Sequence, residues 1–333
     1  MIISRTPLRL ALFSGGSDLP AFYQKEKGAA LSVTIDKYID VMVRSNPFSG
    51  IRTIFDQIDE VNDISEMKHT ITKEALKEFN LSHVDNLTIA SMSDINCSGS
   101  GLGSSSAFTI GLSKALHEFN NDSSFPKSYF AEKACRIEME RCNYPVGKQD
   151  QYAAAYGGFN LFEFKKDGTV NVTTPSISIR SIHKMESNML LIFSGKSRSA
   201  NDILQKQATA MANEDKFNLV RKSRDLAYVG KRYLEEDKID DFGDLLHSSW
   251  LDKKAVVKEI SPSYFDEIYN FALENGAIGG KLLGAGGGGF FLFYCSSFNK
   301  KMDLSLALKK KNPECQSYPF HFTDIGSSII YKG

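Results

Sequence analysis

The chain has 333 residues, 42% of them hydrophobic, and balances 40 basic against 40 acidic side chains. That balance permits a sizeable core in one or two domains and argues against a nucleic-acid partner or electrostatic attachment to a membrane. No apolar run approaches a membrane span, the stretch 286–295 being far too short. The five cysteines are odd in number and form no CxxC pair, and residues 1–5 lead straight into a strand with no signal segment, so a cytoplasmic protein with reduced thiols is expected.

Near the start, Ile2, Leu8, Leu10 and Leu12 alternate with other residues and predict a strand that ends at Gly15-Gly16, with Ser17 and Asp18 just beyond. The two glycines either turn the chain or clear space for a ligand. The most informative stretch follows at 96–107: Gly99, Gly101 and Gly103 alternate with other residues, Ser104, Ser105 and Ser106 follow, and a helical pattern then begins through Phe108, Leu112, Ala115, Leu116 and Phe119. A glycine loop that empties into a helix presents free N–H groups and the positive end of the dipole, which is a phosphate cradle. It lacks the lysine of a Walker loop, and its G-x-G-x-G spacing is not that of a dinucleotide fingerprint.

The segment Pro126–Cys142 predicts a helix with Pro126 in its first turn. Glu138 falls on its apolar stripe with Phe130, Ala131, Ala134 and Cys135, so this carboxylate needs either a magnesium ion or a core arginine such as Arg136 or Arg180. Asp150 precedes Gln-Tyr-Ala-Ala and suits a helix N-terminus, a place compatible with a catalytic role. Residues 190–193 read as a buried strand opening into a loop with Lys196 and Arg198, which either bind a substrate phosphate or form a solvated surface. Arg5 and Lys148 are weaker candidates for that phosphate. Helices are expected around 200–213 and 215–236, and an amphipathic segment at 242–258 could cover a pocket. Lys253-Lys254 look solvated. Finally, Gly279–Gly289 contains four adjacent glycines ahead of the apolar run Phe290–Tyr294, a backbone built for close approach in front of a buried strand.

In combination, three motifs resemble those of the GHMP kinases, the superfamily of galactokinase, homoserine kinase, mevalonate kinase and phosphomevalonate kinase: Arg5–Asp18, the loop 98–106 and Gly279–Gly289. The resemblance spans essentially the whole chain and is nearest the bacterial heptose phosphate kinases. Two departures stand out. Gly15 and Gly16 replace the glutamate and histidine that galactokinases set against their sugar, and Ser98 replaces the proline that usually opens the phosphate motif.

The resemblance implies an α+β fold of two lobes, a ribosomal protein S5 domain 2-like lobe at 1–184 and a ferredoxin-like lobe at 185–333. It implies that Ser98, Gly99, Ser100, Gly101, Leu102, Gly103, Ser104, Ser105 and Ser106 cradle the phosphates of ATP. It makes Glu138 and Ser105 the Mg2+ ligands, and Asp150 with Arg9 the catalytic pair. Gly15, Gly16, Ser17, Asp18, Lys196, Arg198, Gly286 and Gly287 would contact the sugar phosphate. The implied reaction is ATP-dependent phosphorylation of the C1 hydroxyl of D-glycero-D-manno-heptose 7-phosphate. The alternatives are another sugar 1-kinase of fucose or galactose type, or a non-catalytic sugar and ATP sensor. The implied partners are a sugar phosphate and ATP, without nucleic acid or membrane, and a homodimer is left open.

Overall fold

The structure is a computed structural model that describes all residues except Phe48, Ser82, Asp85, 96–98 and 121–123. Ser98 of the phosphate motif therefore lies outside the described residues. Among the described residues the strands form one sheet of eight and one of four.

The first strand, Ile2–Phe13, carries Arg9 and organises the larger sheet. It pairs antiparallel with Gly28–Ser45, setting Leu8 opposite Ile35 and Leu10 opposite Val33. The helix Ser104–Asn120 and the helix Glu214–Glu235 both pack on these two strands. Leu8, Leu10, Leu12 and Phe13 are wholly buried, as a strand covered on both sides requires. The four-stranded sheet is antiparallel, with Phe290–Cys295 between Met189–Phe193 and Ala277–Leu282, and Gln316–Tyr318 outside Met189–Phe193. Numbered along the chain within this sheet, the order is 4-1-3-2, with helices between the first and second strands and between the third and fourth. That is the ferredoxin-like arrangement. Every residue of Phe290–Cys295 is buried, which accounts for its unbroken apolar sequence.

Two boundaries differ from expectation. The division at 184/185 falls inside the helix Ile179–Asn188, and the last strand, Ser328–Lys332, returns to pair with Ile2–Phe13, with Ile3 opposite Tyr331. The end of the chain thus belongs to the first sheet, because the open edge of Ile2–Phe13 is satisfied by a strand distant in sequence. The predicted helix over 126–142 is also interrupted. Pro126 caps an α-helix at Lys127–Cys135, and a π-helical turn follows at Arg136–Arg141. Such insertions rotate the side chains after them and are frequent at functional sites. Here the turn contains Glu138.

Candidate active site

Gly99, Gly101 and Gly103 have φ of 68°, 77° and 75°, in the left-handed region that a side chain strongly disfavours. They lead into the N-terminus of Ser104–Asn120, whose Ser104, Ser105 and Ser106 line a cavity of about 440 Å³. The glycine-rich segment 284–289 lies directly against this loop. A Cβ on Gly284 would sit 2.6 Å from the Cα of Gly101, and one on Gly289 only 2.2 Å from the carbonyl of Ser100. Phe290 N–H donates to that same carbonyl at 3.0 Å. The two loops pack backbone to backbone because glycines stand where they meet, at Gly101, Gly284 and Gly289.

Against the first of these loops, the Arg9 guanidinium forks onto Asp150, Nε to Oδ1 at 2.8 Å and Nη2 to Oδ2 at 2.5 Å. Its Nη1 donates to the Gly101 carbonyl at 2.6 Å, and its backbone N–H donates to the Leu102 carbonyl at 3.0 Å. Arg9 thus fastens the phosphate loop to Asp150. Asp150 itself sits in the first turn of the helix Gln149–Tyr156, with its side chain 30% exposed to the cavity. Asp18 lies alongside, accepting from the Gln149 N–H at 3.3 Å. Burial, and then the like charge of Asp150, push its carboxyl up to about 6.

Glu138 is buried on the cavity wall. It accepts from Ser105 Oγ at 2.6 Å, Ser106 Oγ at 2.8 Å and Gln151 Nε2 at 2.6 Å. Among the described residues no cation comes within ion-pair distance of it, so neither Arg136 nor Arg180 is its partner. Arg136, Lys133 and Arg141 turn instead to the buried carboxylate of Glu78. Burial raises the Glu138 pKa despite its three donors. A buried carboxylate held by neutral donors beside a phosphate loop fits a hard divalent cation, which takes one or two protein oxygens and completes its shell from phosphate and water.

Family profiles match in two places: the GHMP kinases N terminal domain at residues 68–158 and the GHMP kinases C terminal domain at 231–313. A D-glycero-alpha-D-manno-heptose 7-phosphate kinase of Campylobacter jejuni is 31% identical over 335 residues, covering 96% of each chain. The chain is a GHMP kinase. A bifunctional fucokinase/GDP-fucose pyrophosphorylase of Arabidopsis thaliana is 25% identical, and the match covers 91% of this chain but 31% of that longer protein. Among solved structures, a D-glycero-D-manno-heptose 1-phosphate kinase from Bacteriodes thetaiotaomicron superposes with a TM-score of 0.80 at 26% identity, covering 100% of both chains. The Lactococcus lactis galactokinase complexed with galactose shares the fold, with a TM-score of 0.76 at 13% identity, over 98% of this chain and 94% of that one. The family makes the chain an ATP-dependent phosphotransferase.

Not every expected site residue of this GHMP kinase reaches the cavity. Arg198, Gly16 and Asp18 line it, but Lys196 does not: its ammonium lies over the Tyr264 ring, 3.7 Å from the centroid. Gly286 and Gly287 do not line it either, being pressed against Ile260 and against Ile203, Glu259 and the guanidinium of Arg198. Ser17 is buried and donates to the Ala29 carbonyl at 2.7 Å, and Gly15 abuts Ser223. Those residues shape the loops around the cavity and do not line it. Arg5 pairs with Asp40 and Lys148 donates to the Gly168 carbonyl, so neither is free for a substrate phosphate.

The cavity also holds residues that the sequence reading missed. Gln207 lines it and donates to the Gly15 carbonyl at 2.7 Å, and a Cβ on Gly16 would sit 2.3 Å from its Nε2. Gln149 lines it with a buried Nε2 that has no hydrogen-bond partner among the described residues. Lys281 and Lys253 line it too. Lys281 is fully buried and donates to the Leu12 carbonyl at 2.8 Å, and burial drives its pKa well down. Lys253, expected on a solvated face, is buried and donates to the Gly284 carbonyl. The signal for it was present: with Leu246, Ser249 and Trp250, Lys253 continues the buried stripe of the helix Phe242–Lys254. The segment expected to cover a pocket therefore supplies one of its walls.

Proposed function

We propose that the enzyme transfers the γ-phosphoryl group of ATP to the anomeric C1 hydroxyl of D-glycero-D-manno-heptose 7-phosphate, giving the 1,7-bisphosphate and ADP. The observation that carries this reading is the Arg9–Asp150 fork, which joins the phosphate loop to the Asp18 side of one cavity. The choice of sugar phosphate rests on the heptose kinase relatives, whose similarity extends over the full chain.

The phosphates of ATP lie along residues 99–106, where a glycine loop that lines the cavity runs into a helix N-terminus, an arrangement suited to an anion. Glu138 and Ser105 hold Mg2+, which when bound neutralises phosphate charge and orients the γ-phosphoryl group. The sugar occupies the side bounded by Asp18, Gln149 and Gln207, with the unpartnered Gln149 Nε2 available to a hydroxyl. The attacking hydroxyl oxygen bonds to the γ-phosphorus as the bond to the bridging oxygen of ADP breaks, and its proton passes to the Asp150 carboxylate. Arg9 occupies one lone pair on each Asp150 oxygen and supplies the counter-charge, leaving the other lone pairs for the hydroxyl. Arg198 meets the phosphate the substrate already carries. The same reading places the enzyme in the cytoplasm with its nucleotide.

One observation favours a second reading. With Lys196 engaged by Tyr264, Arg198 is left as the basic side chain of that loop in the cavity. This suits an unphosphorylated acceptor such as fucose better than a sugar phosphate. Measuring ADP release with Mg-ATP and the heptose 7-phosphate beside free hexoses and fucose separates the two. Phosphorus NMR of the product then identifies the carbon modified. Turnover of the phosphorylated heptose with a new C1 phosphate is expected; turnover of a free sugar alone overturns the assignment.

A further inference from the structure

We propose that Lys253 is a further catalytic residue, a cation that contacts the phosphoryl group while it is in transfer between ATP and acceptor. The proposal rests on the phosphotransfer reading above and extends it to the helix Phe242–Lys254, which contains none of the three sequence motifs.

The position of Lys253 is unusual for a lysine. The residue is 6% exposed and lines the cavity, yet among the described residues its ammonium reaches no carboxylate within ion-pair distance. Its identified partner is the Gly284 carbonyl. A desolvated ammonium without a counter-ion is costly, and such a cost is tolerated where an anionic ligand supplies the missing charge. The backbone it grips shows where that anion lies. Gly284 is in contact with Gly101, and Gly101 is the residue whose carbonyl accepts from Arg9. Lys253 and Arg9 therefore each grip one of two touching glycine loops, Arg9 bonded to Asp150 and Lys253 near enough to feel its charge, where the phosphotransfer reading has the γ-phosphoryl group pass.

Three charged groups bear on Lys253: Arg9 disfavours its charge, whereas Asp18 and Asp150 favour it. Lys281, on the strand Ala277–Leu282, is itself held well down by burial and then by the charges of Lys253 and Arg9. With burial the largest influence, the ammonium is brought down to about 8. In the free enzyme the cation is therefore present at neutral pH and lost as the pH rises through about 8. The arriving phosphates restore it.

The test compares wild type with Lys253→Met, which keeps length and removes charge, and Lys253→Arg, whose charge persists at high pH. The acceptor is whichever sugar the wild type turns over. The wild-type result alone decides the substrate assignment, and the comparison among variants decides the role of Lys253. Lys253→Met is expected to lose about 10²-fold or more in kcat with both KM values within about threefold. In wild type, kcat/KM should fall above about pH 8, a limb that Lys253→Arg moves beyond pH 9. A further arm needs no acceptor. Mg-ADP with aluminium fluoride mimics the group in transfer, and Lys253→Met should weaken its binding at least tenfold while leaving Mg-ADP alone within twofold. The proposal is overturned by a kcat for Lys253→Met within threefold of wild type, by a loss confined to KM, by an unmoved alkaline limb in Lys253→Arg, or by equal binding of the fluoride complex. If Lys253→Met does not fold, the pH profile of Lys253→Arg decides.

Discussion

Replacing Asp18 by Asn should stabilise the protein, and the size of the gain can be worked from its surroundings. Asp18 lies so close to Gly147 that a Cβ there would sit 2.0 Å from Oδ2, and Asp150 adds a like charge. Together with burial these raise its pKa from 3.8 to about 6. A carboxyl whose folded pKa is raised binds its proton more tightly when folded. Its favourable contribution is complete below 3.8 and is lost as pH rises through about 6, above which the ionised side chain penalises the folded state. About two units at 1.36 kcal/mol each give a penalty of up to about 3 kcal/mol. The cavity leaves Asp18 half-buried, and water there lowers this toward about 1 kcal/mol. Unfolding entropies near 2.1 cal/mol/K per residue imply about 0.7 kcal/mol/K for this chain, so a gain of about 1–3 kcal/mol should raise the midpoint by roughly 1–4 °C. Asn removes the charge and still accepts from the Gln149 N–H. Thermal unfolding followed by circular dichroism should show the full gain at pH 7.5, about half of it at pH 5, and about a fifth near pH 4. An equal gain at every pH, or a lower midpoint at pH 7.5, would refute the reasoning, because Asp18 would then be held ionised by a favourable partner.

Three further substitutions test other parts of the site. Asp150→Asn should lose about 10²–10⁴-fold in kcat while calorimetry finds Mg-ATP affinity within about threefold of wild type; a large loss of nucleotide affinity would move Asp150 from proton transfer to binding. Gly101→Ala puts a side chain at φ of 77° and a Cβ 2.6 Å from the Leu283 carbonyl, so ATP titrations should show at least tenfold weaker binding, while unchanged affinity would mean that the loops can part. Glu78 holds Lys133, Arg136 and Arg141 at 2.5, 3.3 and 2.6 Å and ties the helix Thr70–Glu78 to the π-helical turn that carries Glu138. Glu78→Gln should therefore lower the thermal midpoint by a few degrees and raise the Mg2+ concentration needed for half-maximal rate; an unchanged Mg2+ requirement would separate the clamp from the metal site.

The sequence by itself determined the parts of this protein whose chemistry is local. Alternating glycines ahead of a helix made a tightly turning loop expected at Gly99–Gly103, and an unbroken apolar run at Phe290–Cys295 made a buried strand expected. A carboxylate on an apolar stripe, Glu138, has to find something to satisfy it. What escaped the sequence depended on which distant surfaces meet. The same basic residue type is placed on Tyr264 at Lys196 and against the Gly168 carbonyl at Lys148, and no local pattern separates these two fates, whereas the entry of Lys253 into the cavity follows the buried stripe of its helix. The glycines at 284 and 289 press on the phosphate loop, whereas 286 and 287 press on the turn at Ile260, because the loop curls between two neighbours. Ser328–Lys332 joins the first strand for a reason written in neither segment: a sheet edge must be covered, and the chain that covers it is selected by where the fold brings its end. Propensity and burial are carried by neighbouring residues, but the partner of each buried charge is decided only when the whole chain has closed around it.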